Sequence, residues 1–241
     1  MCIRDRYVAK HGNRGITSAC GSADVLEALG VKIDLGAEQV AACIREARIG
    51  FMFAPMFHPA MRFVQPIRKA LGFRTVFNQL GPLANPAGAR RQVMGVADGA
   101  LMETMAESLR LLGAEYAMVV HSDGLDEIST LGPTRVMEIK DGQTIRREIR
   151  PEDVGFARAR VEDLSVDDPA GSAAAIRAVL SGRDKGPKRD IVVLNAAAAI
   201  VAGGVADGFE DGLARAVEAI DSGAAMECLE TFIRVSLRQG Q

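Results

Sequence analysis

The chain has 241 residues, 29 Lys and Arg against 31 Asp and Glu, a formal net charge of −2, 48% hydrophobic residues, 5% aromatic residues and no Trp. That composition excludes a disordered chain, a collagen-like repeat and a disulfide-dense mini-scaffold, while the length suffices for a sizeable core. A near-zero charge gives no electrostatic ground for nucleic acid or an anionic membrane as partner. The four cysteines (Cys2, Cys20, Cys43 and Cys228) are too sparse and irregular for a disulfide framework or a zinc site. Cys20 is read as a small residue in a tight turn, with a reactive thiol as the alternative. The longest uncharged run, Ile191–Ala206, is short, rich in Ala and Gly and interrupted by Asn195, so no membrane span is expected. No signal peptide is recognised, and the expected compartment is the cytoplasm.

The hydrophobic period alternates between strand-like and helix-like, which predicts an α/β fold. Residues 1–6, MCIRDR, carry no cap or strand pattern and are set apart from 7–241 as unmatched or non-native sequence. Tyr7–Lys10 reads as the end of a strand, a feature that normally has partners upstream. His11–Gly21 reads as a Gly-rich loop, and Ser22 as the N-cap of a helix over 23–29 that Gly30 ends. A second helix is predicted over 37–47, stopping near Gly50, with a buried strand at 51–54. Pro59 suits the first turn of a helix running to Gly72, kinked at Pro66. FNQLGPLANP, residues 77–86, has Pro and Gly too dense for a regular element and predicts a structured loop.

Strands at 92–97 and 116–121, separated by a helix over 101–112, form a βαβ unit whose second strand runs into SDGLDEIS. Asp141-Gly142 predicts a type I′ hairpin between strands at 134–140 and 143–150. The remainder reads as helices over 169–180, 189–201, 210–220 and 224–238, with a basic loop at 181–189.

Three places carry the residues of a chemistry. KHGNRGITSACGS, residues 10–22, is a strand-to-helix loop whose amides can hold phosphate oxygens while Lys10 and Arg14 add charge; many such loops bind nothing. Asp126 and Glu127, on a loop at the carboxyl end of a strand, can hold Mg²⁺ through one carboxylate each. The plainer reading is a solvated acidic turn. His58 and Arg68 lie close enough in sequence to share a pocket for an aromatic acid, the Arg pairing with its carboxylate. The alternative there is a structural His at a helix start and a surface Arg. No Ser-His-Asp series, metalloprotease motif or Walker motif occurs.

Taken together, VAKHGNR (8–14), GSADVLEALG (21–30), FAPMFHPAMR (53–62), LGFRTVFNQLGPLANP (71–86), HSDGLDEIS (121–129) and GPKRDIVVLNAAAA (186–199) resemble the anthranilate phosphoribosyltransferases of tryptophan biosynthesis. The resemblance implies a large α/β domain of the nucleoside phosphorylase and phosphoribosyltransferase type, with most of an N-terminal helical domain missing. It also implies a homodimer in the complete enzyme and Mg²⁺ as cofactor. Lys10, His11, Gly12, Asn13, Arg14, Thr17, Ser18 and Ser22 match positions that contact phosphoribosyl pyrophosphate. Asn13, His58 and Arg68 match positions for anthranilate, and Asp126 and Glu127 match the metal ligands. The reaction implied is transfer of the phosphoribosyl group to the anthranilate amine, with no acid or base assigned. Two departures are expected to matter: Thr17-Ser18-Ala19-Cys20 stands where the family often has Ser-Ser-Lys-Ser, so that Ala19 replaces a Lys, and the family's Gly-rich GTGGD and NIST-type segments are absent from this sequence. An incomplete, inactive fragment is therefore one expectation. A pyrimidine nucleoside phosphorylase and a non-catalytic nucleic-acid-binding relative are the alternatives.

Overall fold

The computed structural model describes residues 6–15, 20–61, 63, 64, 67, 70 and 76–240. The first strand, β1 (Val8–Gly12), leads through a loop to α1 (Ser22–Leu29) and α2 (Ala37–Ala47) before β2 (Ile49–Phe53) returns parallel to β1. Parallel pairing demands such a crossover, and its helices cover the strands. Val40, Cys43 and Ala47 of α2 pack with Phe51 and Met52 of β2 and with Phe232 and Val235 from the last helix of the chain.

Three local expectations change here. Gly21, not Ser22, is the N-cap of α1, because the Asp24 carboxylate accepts the Gly21 amide at 2.9 Å and does the capping from inside the first turn. α2 ends at Ala47, its C-cap Arg48 reverses the chain with a φ of 64°, and Gly50 lies within β2. A side-chain carbon at Gly50 would sit 2.6 Å from Ile44, so this glycine serves close helix–strand approach and not helix termination. β1 continues through His11 and Gly12, two residues past the expected strand end.

A short helix, α3 (Ala54–Phe57), follows β2. Of the helix expected after Pro59, residues 61, 63, 64, 67 and 70 are helical; Pro66 and Gly72 lie outside the described residues. The structured loop predicted over 77–86 is instead α4 (Phe77–Leu83) followed by a turn. Pro82 falls in the last turn of this helix, where its missing N–H forfeits a single bond.

The second sheet has the order β3 (Arg91–Gly95), β4 (Tyr116–Ser122), β5 (Thr134–Lys140), β6 (Gln143–Ile149). β3 and β4 are parallel, joined by a 3₁₀ turn at Gly99–Leu101 and α5 (Met102–Leu111), and the remaining pairs are antiparallel. Every residue of β4 is buried. Its alternate side chains serve two layers, Ala117 and Val119 packing on Met105 and Leu109 of α5, and Met118 and Val120 packing on Leu194 and Ala198 of a helix on the other face. The hairpin turn is as predicted, with φ of 52° at Asp141 and 74° at Gly142, the two left-handed residues a type I′ turn requires.

After a 3₁₀ turn at Glu152–Val154 the chain is helical: α6 (Val161–Leu164), α7 (Pro169–Leu180), α8 (Pro187–Ala202), α9 (Phe209–Asp221) and α10 (Ala224–Gln239). α6 has no counterpart in the sequence reading, and α8 starts two residues early because Pro187 suits a first turn. α8 is wedged between β4 and the α7–α9 layer, which is why its Ala-rich sequence is apolar nearly all round. The layered α/β class is the one expected. Among the described residues no helix is long and apolar enough to cross a membrane.

Candidate active site

A cleft of about 1390 Å³ separates the two sheets, and every residue of β1 and of β3 lines it. Its walls are sheet edges. The Val8 amide bonds Arg48 and the Val96 amide bonds Val120, so the intervening residues Ala9, His11, Val93 and Gly95 turn their peptide groups toward the cleft. One of those carbonyls, Ala9, accepts from the Asn85 side chain at 3.0 Å.

The carboxyl end of β1 delivers Lys10, His11, Gly12 and Asn13 to this cleft. Gly12 is required by space, since a side-chain carbon there would lie 2.8 Å from the Phe51 ring and closer still to the Ser22 hydroxyl. Asp24 ties the described ends of the loop together by accepting the Gly15 and Gly21 amides, each at 2.9 Å. Those two bonds, then the Arg14 guanidinium, hold the Asp24 carboxyl below the usual carboxylate range. Arg14 is turned away from the cleft: it pairs with Asp24 at 3.0 Å and with Glu27, and its guanidinium lies 5.6 Å from the Phe53 ring centre. Neither Arg14 nor Ser22 lines the cleft, so both shape the loop from behind. Thr17, Ser18 and Arg68 lie outside the described residues.

Asp126 and Glu127 enter the same cleft from the loop after β4. The loop is folded back tightly, with Ser122 and Leu125 exchanging backbone bonds of 3.0 and 3.1 Å. Desolvation by the cleft walls, then the charge of Asp126, pushes the Glu127 carboxyl up, while the Lys10 ammonium pulls it down. An acid pair with this environment gains from a cation. Among the described residues no group of three or more His, Cys, Asp or Glu side chains is placed to hold a metal. Two carboxylates beside a phosphate-type loop nevertheless suit Mg²⁺, which keeps several waters and takes further oxygens from substrate phosphates.

His11 and His58 form the third wall, their ring centroids 4.9 Å apart in an edge-on contact. Both Nε2 atoms are buried, and among the described residues neither has a hydrogen-bond partner. Burial first, then the charge of His58, holds the His11 imidazole below its ordinary value of 6.5, against an opposing hydrogen bond to the Gly81 backbone. An NMR titration should therefore find the His11 midpoint below the ordinary value of 6.5. Because the unfolded chain takes up this proton more readily, the stability present above about pH 6.5 should fall as pH drops toward the lowered folded value. His58→Asn should move the His11 midpoint up; an unchanged midpoint would remove His58 as a cause.

Lys10, His11, Gly12, Asn13, His58, Asp126 and Glu127 thus share one cleft. Asn85, Gly95 and Asn195 also line it and were not singled out from sequence. Asn195 had a visible signal, a poor helix former set in a run of alanines.

A cleft between two parallel strand pairs, with a Gly-rich loop at one strand end and a carboxylate pair at another, suits a phosphorylated ligand accompanied by a divalent cation. The chain matches the family model described as glycosyl transferase family, a/b domain, over residues 3–226. It is 56% identical over 231 residues to the anthranilate phosphoribosyltransferase of Chloroflexus aggregans, covering 95% of this chain and 68% of that relative. The enzyme of that name from Methanocorpusculum labreanum is 53% identical, with 95% and 67% covered. A crystal structure of anthranilate phosphoribosyltransferase from Thermus thermophilus superposes with a TM-score of 0.90 at 46% identity, covering 96% of this chain and 69% of that one. The Saccharomyces cerevisiae enzyme in complex with phosphoribosyl pyrophosphate and Mg gives 0.87 at 30% identity, with 97% and 65% covered. This chain belongs to the anthranilate phosphoribosyltransferase family. The phosphorylase and nucleic-acid-binding alternatives find no support in these relatives.

Proposed function

We propose that the cleft between β1 and β3 transfers the phosphoribosyl group of phosphoribosyl pyrophosphate to anthranilate, releasing pyrophosphate. The observation that carries this reading is the convergence of the Lys10–Asn13 strand end and the Asp126–Glu127 pair on one cleft. The anthranilate amine is an aniline, unprotonated near neutral pH, and its lone pair attacks the ribose C1 carbon as the C1–O bond to pyrophosphate breaks. No side chain need act as a strong base; the demand is for charge stabilisation on the leaving group. Lys10 binds phosphate oxygens, with those loop amides that the Asp24 and Asn13 side chains do not already engage. Asn13, His58 and Arg68 orient anthranilate for in-line attack. Asp126 and Glu127 hold Mg²⁺, which when bound neutralises the pyrophosphate charge. Cytoplasmic location and a homodimeric assembly complete the reading.

The two substrates separate in mutagenesis. Lys10→Ala is expected to weaken phosphoribosyl pyrophosphate binding by at least about tenfold while sparing anthranilate, since it removes one charge-assisted contact. Arg68→Ala should do the reverse, raising the anthranilate KM. Calorimetric titration and initial rates measure both. Equal effects of either variant on both substrates would dissolve the assignment.

A further inference from the structure

Asn195 sits in the middle of α8, flanked on its C-terminal side by four alanines. Its carboxamide has two N–H donors and an acceptor oxygen, and all three are engaged. The Oδ1 atom accepts from the Ile128 amide at 2.9 Å, and Nδ2 donates to the Ile128 carbonyl at 2.8 Å and to the Ile191 carbonyl of its own helix at 2.9 Å. The side chain therefore pairs with both peptide groups of Ile128 as a neighbouring strand would. Ile128 is fully buried, so both groups would otherwise lack a partner. Its side chain is held in the core beside Leu194 and Ala198 of the same helix.

Ile128 directly follows Glu127. Upstream, the Ser122 hydroxyl donates to the Leu125 carbonyl at 3.0 Å and lies 3.3 Å from that of Glu127. From β3, the Asp126 carbonyl packs so closely on Gly95 that no side-chain carbon would fit between them. The acid pair is thus gripped before, within and after its loop, and the grip after it belongs to a helix remote in sequence. We infer that Asn195 is a positioning residue whose clasp on the Ile128 backbone sets the spacing of the Asp126 and Glu127 carboxylates for a divalent cation. The inference rests on the reading of those two carboxylates as metal-holding groups. A side chain that merely stabilised α8 would have no reason to bond the backbone of another loop twice.

The test is Mn²⁺ binding, followed by the electron paramagnetic resonance of free Mn²⁺, to the whole chain as wild type, Glu127→Gln and Asn195→Leu. Leu keeps the volume and removes the amide; Asn195→Ala serves if Leu does not fold, as judged by near-ultraviolet circular dichroism. Asn195→Leu is expected to weaken Mn²⁺ binding by at least about tenfold, the range seen when groups behind a metal ligand are lost. Exchange of the Ile128 amide should accelerate in the same variant, while Val119 and Val120 in β4 stay protected. A folded Asn195 variant that binds Mn²⁺ within about twofold of wild type overturns the positioning role and, if Glu127→Gln still weakens binding, leaves the metal reading standing. A wild type that binds no Mn²⁺, or a Glu127→Gln that binds it unchanged, overturns the metal reading and this inference with it.

Discussion

Replacing Glu127 with Gln is expected to lower kcat/KM by about 100-fold or more, with a matching rise in the Mg²⁺ concentration needed for half-maximal rate. Loss of groups that only support a metal ligand costs about 10- to 100-fold, and here a carboxylate itself goes. The side chain lines the cleft beside Asp126 and within reach of the Lys10 charge, so the substitution removes one of the two anions facing a cationic neighbour. Gln has nearly the same volume and can keep the packing. Circular dichroism and the urea midpoint should accordingly change little. Initial rates of anthranilate fluorescence loss across a Mg²⁺ series measure the effect. A variant with wild-type Mg²⁺ dependence would take Glu127 out of the metal site.

Gly95→Ala should damage both the fold and the site. The added methyl would overlap the Asp126 carbonyl, which is backbone and cannot rotate away. β3 is bonded along one side to β4, with Gly95 opposite Val120, so the strand has little room to retreat. The loop must move instead, and it carries both carboxylates. Overpacking of this kind costs about 1–3 kcal/mol, read as a lower urea midpoint, and the Mg²⁺ dependence should shift in the same direction as in Glu127→Gln. Gly132→Ala is the control, since among the described residues nothing lies within 4 Å of a side-chain carbon there. It should stay within about 0.5 kcal/mol of wild type. Equal behaviour of the two variants would mean that the close Gly95–Asp126 approach has no bearing on stability or metal use.

The elements with strong periodicity were legible in sequence: α2, the βαβ unit around α5, the Asp141-Gly142 hairpin and the C-terminal helices all stand close to their expected bounds. Misreadings arose where one residue type serves two purposes. Gly50 looked like a helix stop and is a packing glycine, and the Gly and Pro of residues 81–82 looked like loop formers and close a short helix. At the site, Lys10, Asn13, His58, Asp126 and Glu127 stood out as residue types that do chemistry, and all five line one cleft. What holds them was not legible. Asn195 meets Ile128 across a separation of 67 residues, and Asn85 meets Ala9 across 76. Arg14 shows the converse, a cation that looked fit for phosphate and is engaged by Asp24 and Glu27 once the loop folds. Pattern reports what a side chain can do, whereas its partner depends on which strands the crossovers bring together.

The most direct measurement adds phosphoribosyl pyrophosphate and Mg²⁺ to the folded chain and follows anthranilate fluorescence. The account predicts loss of the signal that requires both additions, stops on chelation with EDTA and is lowered about 100-fold or more by Glu127→Gln. Folded protein that leaves the signal constant, or consumes anthranilate equally well without Mg²⁺, would contradict the assignment of this cleft as a metal-assisted phosphoribosyl transfer site.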